Sequence, residues 1–509
     1  MHMYAQFHTN IKHTYTSEHG RYRRRRRGHR PNTTHSLRRH TMSCQEGALP
    51  AAAQPHVLLV SCPLQGHVNP LLRLGRRLAA RGILVTFTTL RHAGLRAAHR
   101  DGVGFELYQL RDHDDQDQMT PDDMLRHVVA EGPVALADLV RRQADAGRPV
   151  SCVVNTTFVP WALDVARELG LPCATLWNQS CAVLSLYHHF YNDGVPFPSA
   201  ADDAPVVLPG LPAMSLDELP LMVRPEFACN LWGQMLRRQL VEVRARQAPS
   251  WVLVNTFHEL ERDVIEALRA GGVAVTPVGP LLNGDEPAVA DDDGCVMAWL
   301  DSQPPRSVVY VAFGSLVDIG RDETAALAEG LDGTGRPFLW VVRDDLLHLP
   351  ESVLAACRGS TGKIVAWCPQ GRVLGHGAVG CFVTHCGWNS VTEALAAGVP
   401  VVAYPWWSDQ FTNAKFLVEE YGVGIRLPAP VTRDALRACV DEVMNGPEAA
   451  AIRRRATAWK EEAAAALTDG GSSDRSLDAF VDFLRAAVGS RAVDTISSPP
   501  AKQGSVSSL

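Results

Sequence analysis

The chain has 509 residues and 46% hydrophobic content, a globular composition long enough for two domains with sizeable cores. Its net charge of −6 divides into +8 through Gln54 and −14 beyond, which excludes nucleic-acid binding by counterion release for the body of the protein. No apolar run approaches the roughly 20 residues of a membrane-spanning helix, so a soluble protein without membrane insertion is expected.

Residues 1–54 show no hydrophobic periodicity, carry the run Arg23 to Arg27 and lack the apolar stretch of a secretory signal. A disordered extension ahead of a working start at Met42 is the favoured expectation; a transit peptide and a functional basic arm are the alternatives. From His56 onward, short apolar strands alternate with amphipathic helices. Strands are predicted at 56–62, 83–88, 151–154, 173–177 and 251–255, with a helix over 70–80 closed by a left-handed Gly82. This β-α-β rhythm implies a parallel sheet covered on both faces.

The acidic stretch NGDEPAVADDDG at 283–294 interrupts the rhythm and reads as a linker. Strands resume at 307–313, 338–343, 363–367, 380–384 and 399–404, and a last helix covers 474–488. The resulting class is α/β, with two Rossmann-like domains. The first spans 55–285, 286–295 links, and the second spans 296–470. A helix at 471–489 packs back on the first domain, and 490–509 form a disordered tail. Two such sheets in tandem place a cleft between the carboxyl ends of their strands. The twelve cysteines lack CxxC spacing, and Cys173, Cys381 and Cys386 sit in apolar stretches. That pattern predicts buried, reduced thiols in a cytoplasmic protein, while Cys44 in the extension could be free.

The block WCPQGRVLGHGAVGCFVTHCGWNSVTEALAAGVPVVAYPWWSDQ, residues 367–410, reads as a nucleotide-sugar site. A strand ends in His385, Cys386 and Gly387, and Trp388, Asn389 and Ser390 then open a helix. Helix amino ends present free N–H groups and a positive dipole, which suits a diphosphate. Gly387 lets the backbone come close, and His385, Asn389 and Ser390 add donors. Glu393 can accept from ribose hydroxyls, Trp367 offers a flat face to uracil, and Gln370 can read its edge. Asp409 and Gln410 supply partners for sugar hydroxyls. Taken singly, Trp367 and Trp388 are ordinary core aromatics, Glu393 a solvated helix residue and His385 a satisfied buried histidine; it is their joint occurrence that points to a site.

The block resembles the signature of the plant secondary-product UDP-glycosyltransferases, members of glycosyltransferase family 1, and the likeness runs from about His56 to Val488. It implies the GT-B fold, with the acceptor bound by the first domain and the UDP-sugar by the second, UDP-glucose as co-substrate with no resident cofactor or metal, and a monomer that binds a small-molecule acceptor. It also implies diphosphate binding at Ser315 of the FGS segment, brings Cys368 and Ser408 into the donor site, and links Trp388 and Gln410 to glucose preference. The first strand leads into PLQGHVNP at 63–70, and the resemblance makes His67 the general base for inverting transfer, a task suited to a near-neutral pKa.

Relatives place an aspartate where this chain has Thr156, after Asn155, and Asp164 lies too far along to substitute. The segments QGHVNPLLRLG and LWNQSCA are most similar to the glucosyltransferases that form 1-O-glucose esters of hydroxycinnamic, benzoic, limonoid or indole acids. A carboxylic acid is already ionised at neutral pH, so loss of the aspartate costs little and spares the acceptor like-charge repulsion. An aromatic or indole acid is the expected acceptor and a phenolic hydroxyl the alternative. The acceptor pocket is expected from loops at 95–124 and 184–230.

Other chemistries fit less well. A metal-dependent transferase would need Asp-x-Asp at a strand end, whereas residues 112–117 and 291–293 lie in acidic loop-like runs. No GxGxxG follows a first strand. A Cys-His hydrolase would need His385 and Cys386 on one face, which neighbouring strand residues do not share. A UDP-sugar sensor would have no need of His67.

Overall fold

A computed structural model describes residues 54–91, 103–106, 120–245, 251–282, 293–314, 319–342, 351 and 361–497. Two wholly parallel sheets form its frame. In the first, β1 (His56–Val60), β2 (Leu84–Thr88), β3 (Val103–Phe105), β4 (Cys152–Thr156), β5 (Cys173–Trp177), β6 (Trp251–Val254) and β7 (Val275–Pro277) lie in the order β3-β2-β1-β4-β5-β6-β7. In the second, β8 (Val308–Ala312), β9 (Phe338–Val341), β10 (Gly362–Val365), β11 (Val379–Thr384), β12 (Val401–Ala403) and β13 (Gly424–Arg426) take the order β10-β9-β8-β11-β12-β13. The central strands HVLLV and VVYVA are buried at every position, as parallel strands between two helical layers must be.

The strand order reverses between β1 and β4 in the first sheet and between β8 and β11 in the second. Chains leaving the two strands at such a point diverge and open a crevice at their carboxyl ends. His67 follows β1 and Thr156 ends β4, while Phe313 and Gly314 follow β8 and His385 to Trp388 follow β11. Topology therefore assigns each group of candidate residues to a crevice.

The strands seen in the sequence recur with ends shifted by a residue or two, and three strands of three residues each (β3, β7 and β13) carry too short a pattern to announce themselves. Gly82 has φ of +81°, the left-handed conformation expected of it. The first helix differs from expectation. It spans Gln65–Ala79, five residues earlier than predicted, with Pro70 inside it. Proline favours a first helical turn, but here the turn before it is also helical. The last helix runs Ser472–Ser497, and its Leu477, Phe480, Val481 and Leu484 join the core beneath the first sheet. A helix over Asp293–Asp301 claims the end of the acidic stretch, whose residues 283–292 lie outside the described residues. So do Cys44 and the runs at 95–102 and 107–119, and Met124 stands on a helix of 25 residues (Pro121–Asp145) instead of a loop.

No disulfide joins the described cysteines: Cys62, Cys152, Cys181, Cys368, Cys381, Cys386 and Cys439 are buried, Cys173 partly so, and Cys229 and Cys295 are exposed. Among the described residues, no helix is long and apolar enough to cross a membrane.

Candidate active site

Pro70 has a consequence at the cleft. Without an N–H it cannot bond the carbonyl four residues back, that of Gly66. The freed oxygen instead accepts from Asn178 Nδ2 at 3.2 Å and from Asn389 Nδ2 at 3.1 Å. Asn178 follows β5, and Asn389 opens the Trp388–Ala397 helix of the second sheet. One missing donor thus lets the second sheet's helix dock on the turn that carries His67.

His67 is 8% exposed. Its ring lies 5.5 Å from that of Phe158, which meets Trp232 edge-on at 5.1 Å. Phe158 adopts φ of +71°, a left-handed backbone uncommon for a bulky residue and a frequent companion of functional sites. Among the described residues, His67 Nδ1 is buried without a hydrogen-bond partner. Burial pushes the imidazole down to about 3, because the lost hydration disfavours its charged form.

Thr156 does not fill the aspartate's role. It is fully buried, and its hydroxyl accepts from the Cys62 amide at 3.0 Å, tying the exit of β1 to that of β4. Asn155 is committed to Val159, Gln239 and Thr175. Asp164 faces away, paired with Arg167 at 3.2 Å and with Arg238.

In the second sheet, β11 ends in a turn where Cys386 takes φ of +64°. Its amide donates to Thr384 Oγ1 at 3.2 Å, and its carbonyl accepts from Asn413 at 3.0 Å. The first bond of the following helix runs from Val391 N to the Gly387 carbonyl, and no side chain caps this end. The amides of Trp388, Asn389 and Ser390 therefore have no intrahelical acceptor, which makes an anion-binding end. The His385 ring fits between two glycines: a Cβ on Gly314 or Gly387 would stand 2.6 or 2.4 Å from its Nε2. Burial pushes His385 down to about 4, so the ring is neutral at physiological pH.

Several side chains are spent differently from their sequence assignments. Trp388 is 3% exposed and donates to the Asn255 carbonyl at 2.7 Å, behind β6 of the first sheet. Gln370 commits both N–H donors, to Ser390 Oγ at 2.9 Å and Glu393 at 2.8 Å, while its carbonyl accepts from Tyr310. Only one lone pair of Gln370 remains for a base edge. Glu393 is a buried member of an ion pair with Arg73, at 2.9 Å, and not a solvated helix residue. Cys368 is buried with its sulfur 3.4 Å from the Tyr310 hydroxyl, and Trp367 is half-buried after β10. Ser315 lies outside the described residues.

Ser408 has φ of +53° and its carbonyl accepts from Leu221 N at 3.2 Å. Gln410 turns its carbonyl oxygen onto the amides of Trp406 and Trp407, both at 2.8 Å. Asp409 is held by Asn413 at 2.8 Å, and burial raises it to about 6. Among the described residues no cluster of three His, Cys, Asp or Glu could hold a metal ion.

Comparison with known proteins matches this geometry. The UDP-glucoronosyl and UDP-glucosyl transferase profile covers residues 283–454. Gallate 1-beta-glucosyltransferase 84A23 of Punica granatum is 42% identical over 480 residues, 88% of this chain and 93% of the relative. The chain belongs to that family. It is a UDP-sugar-dependent glycosyltransferase with the GT-B fold. Cinnamate beta-D-glucosyltransferase of Fragaria ananassa is 40% identical over 463 residues, 84% of this chain and 82% of its own. The UDP complex of Os79 from O. sativa superposes with a TM-score of 0.76 at 31% identity, covering 84% of this chain and all of that one.

Arg73, Phe158, Asn178, Trp232 and Asn413 join the site only in three dimensions. Arg73 leaves a trace in the sequence as a charge inside the otherwise apolar face of PLLRLG, and Asn178 lies within LWNQSCA. The other three look like ordinary loop or core residues until the crevice assembles them.

Proposed function

We propose that the enzyme transfers glucose from UDP-glucose, with inversion, to the carboxylate of an aromatic or indole acid, giving a 1-O-glucose ester. The observation that carries this reading is His67, buried against Phe158 with Nδ1 unpartnered and basicity lowered to about 3. Such a ring is a poor base for a phenol, whereas a carboxylate arrives ionised and needs no proton removed. One carboxylate oxygen attacks the anomeric carbon, the bond to the diphosphate oxygen breaks, and UDP leaves with that electron pair. Gallate and cinnamate, which name the two relatives, are both aromatic carboxylates.

The donor reading assigns the diphosphate to the amino end of the Trp388–Ala397 helix, with Ser315, His385, Gly387, Asn389 and Ser390 around it. Trp367, Cys368 and Gln370 surround the base, Glu393 takes the ribose, and Ser408, Asp409 and Gln410 take the sugar. Within this reading the enzyme works as a monomer, since both sheets of one chain supply the site. The free, mostly buried thiols suit the reducing cytoplasm.

The test supplies UDP-glucose with matched benzoic or cinnamic acids and phenols and follows UDP release. Faster turnover of acids, with products cleaved by mild alkali, is the expected result. Alkali-resistant products, or faster turnover of phenols, would replace the ester assignment with an ether one.

A further inference from the structure

We propose that Arg73 is a positioning residue for the donor, reaching from the acceptor-side sheet to hold the carboxylate that takes the ribose. Arg73 Nη2 lies 2.9 Å from Glu393 Oε1, and both side chains are only 5% exposed. The other carboxylate oxygen accepts from Gln370 at 2.8 Å. Arg73 Nη1 donates to the Leu281 carbonyl at 2.9 Å, where the chain leaves the first sheet. The inference rests on the donor-site reading above.

Energetics argue against a purely structural pair. A buried ion pair is commonly no more stabilising than apolar side chains of similar volume. Arg73 lies among the buried Leu71, Leu72 and Leu74, where an apolar side chain would suit, and its Nε has no partner among the described residues. Its Nη1 is anchored on the Leu281 carbonyl, which aims Nη2 at Glu393. An ionised carboxylate offers about four acceptor positions. Arg73 and Gln370 occupy two, which leaves two for the two hydroxyls of a vicinal diol. The guanidinium also neutralises Glu393, whose charge would otherwise repel a diphosphate ligand. Arg73 thus makes a donor-side group depend on the acceptor-side sheet.

The test measures UDP affinity by calorimetry without acceptor for wild type, Arg73→Met, Arg73→Lys, Glu393→Gln and the double variant R73M/E393Q. Melting curves and steady-state kinetics run alongside. Arg73→Met should weaken UDP at least about tenfold, because an unpaired Glu393 loses its fixed position beside the ribose and repels the diphosphate. It should raise the donor KM while kcat and acceptor KM stay within about twofold. Arg73→Lys should recover most of the affinity. The double variant buries no lone charge and should bind UDP as Glu393→Gln does. Loss in Glu393→Gln but not in Arg73→Met overturns the proposal alone, as does full additivity in the double variant. Unaltered UDP affinity in Glu393→Gln overturns the donor-site reading and the proposal with it. If Arg73→Met does not fold, comparing the double variant with Glu393→Gln decides: equal affinity supports the proposal, and a further loss overturns it. UDP binding needs no acceptor, so none of these results depends on the acid-versus-phenol question.

Discussion

Replacing His67 by alanine separates the two acceptor chemistries. With His67 at about 3 and a phenolic hydroxyl near 10, complete proton transfer is uphill by about seven pKa units, or about 10 kcal/mol. A positioned base still helps a hydroxyl, by roughly 10²–10⁴-fold, so His67→Ala should cost any residual phenol activity about 100-fold or more. A benzoic-type acid, with a pKa near 4, is ionised above pH 6 and has no proton to give up. For the acid, His67→Ala should lower kcat/KM by less than about tenfold through lost packing on Phe158, and the profile from pH 6 to 8 should stay flat. Donor binding should be unchanged, because His67 follows β1 of the first sheet whereas the proposed donor residues belong to the second. The assay is UDP release at matched acid and phenol concentrations across that range. Equal collapse of both activities, or an acid profile that falls with a pKa near 6.5, would refute the argument, since either requires a working base.

Thr156→Asp should raise phenol turnover and lower acid turnover, because an anion behind the site strengthens His67 as a base and repels an ionised acceptor. Improved turnover of the acid would contradict the ester reading. Gln410→His should reduce use of UDP-glucose relative to UDP-galactose by about 1–3 kcal/mol, since the two tryptophan amides fix the orientation of its NH₂; an unchanged donor ratio would show that Gln410 does not read the sugar. Gly387→Ala should cost about 1–3 kcal/mol of stability by overpacking and weaken UDP, because the new Cβ would press on His385; wild-type melting and affinity would contradict it. His67 titrates at about 3 in the folded protein and near 6.5 unfolded, so the unfolded state binds more protons between those values. Its contribution to stability is intact above pH 6.5 and lost as pH falls. Relative to His67→Gln, wild type should therefore lose about 1.4 kcal/mol per unit between pH 6 and 4. Parallel curves for the two proteins would show that His67 is not held neutral.

The two-sheet α/β class, the cleft and the 367–410 block are legible in the amino-acid sequence. Each rests on local information. Apolar runs of strand length repeat between amphipathic helices, and HCGWNS carries a strand end, a tight turn and a helix start within six residues. Tertiary structure alone decided how each side chain is spent. Gln370 and Glu393 satisfy one another and Arg73, Trp388 serves the contact with Asn255, and Thr156 braces Cys62. Pro70, which on the sequence marked a helix start, frees the Gly66 carbonyl for Asn178 and Asn389. Arg73 and Glu393 are 320 residues apart in the chain, and the 322 between Gly66 and its partner Asn389 are spanned only when the sheets face each other. Hydrogen bonds and burial are properties of that meeting, and a local pattern holds no record of which distant partner will claim a donor.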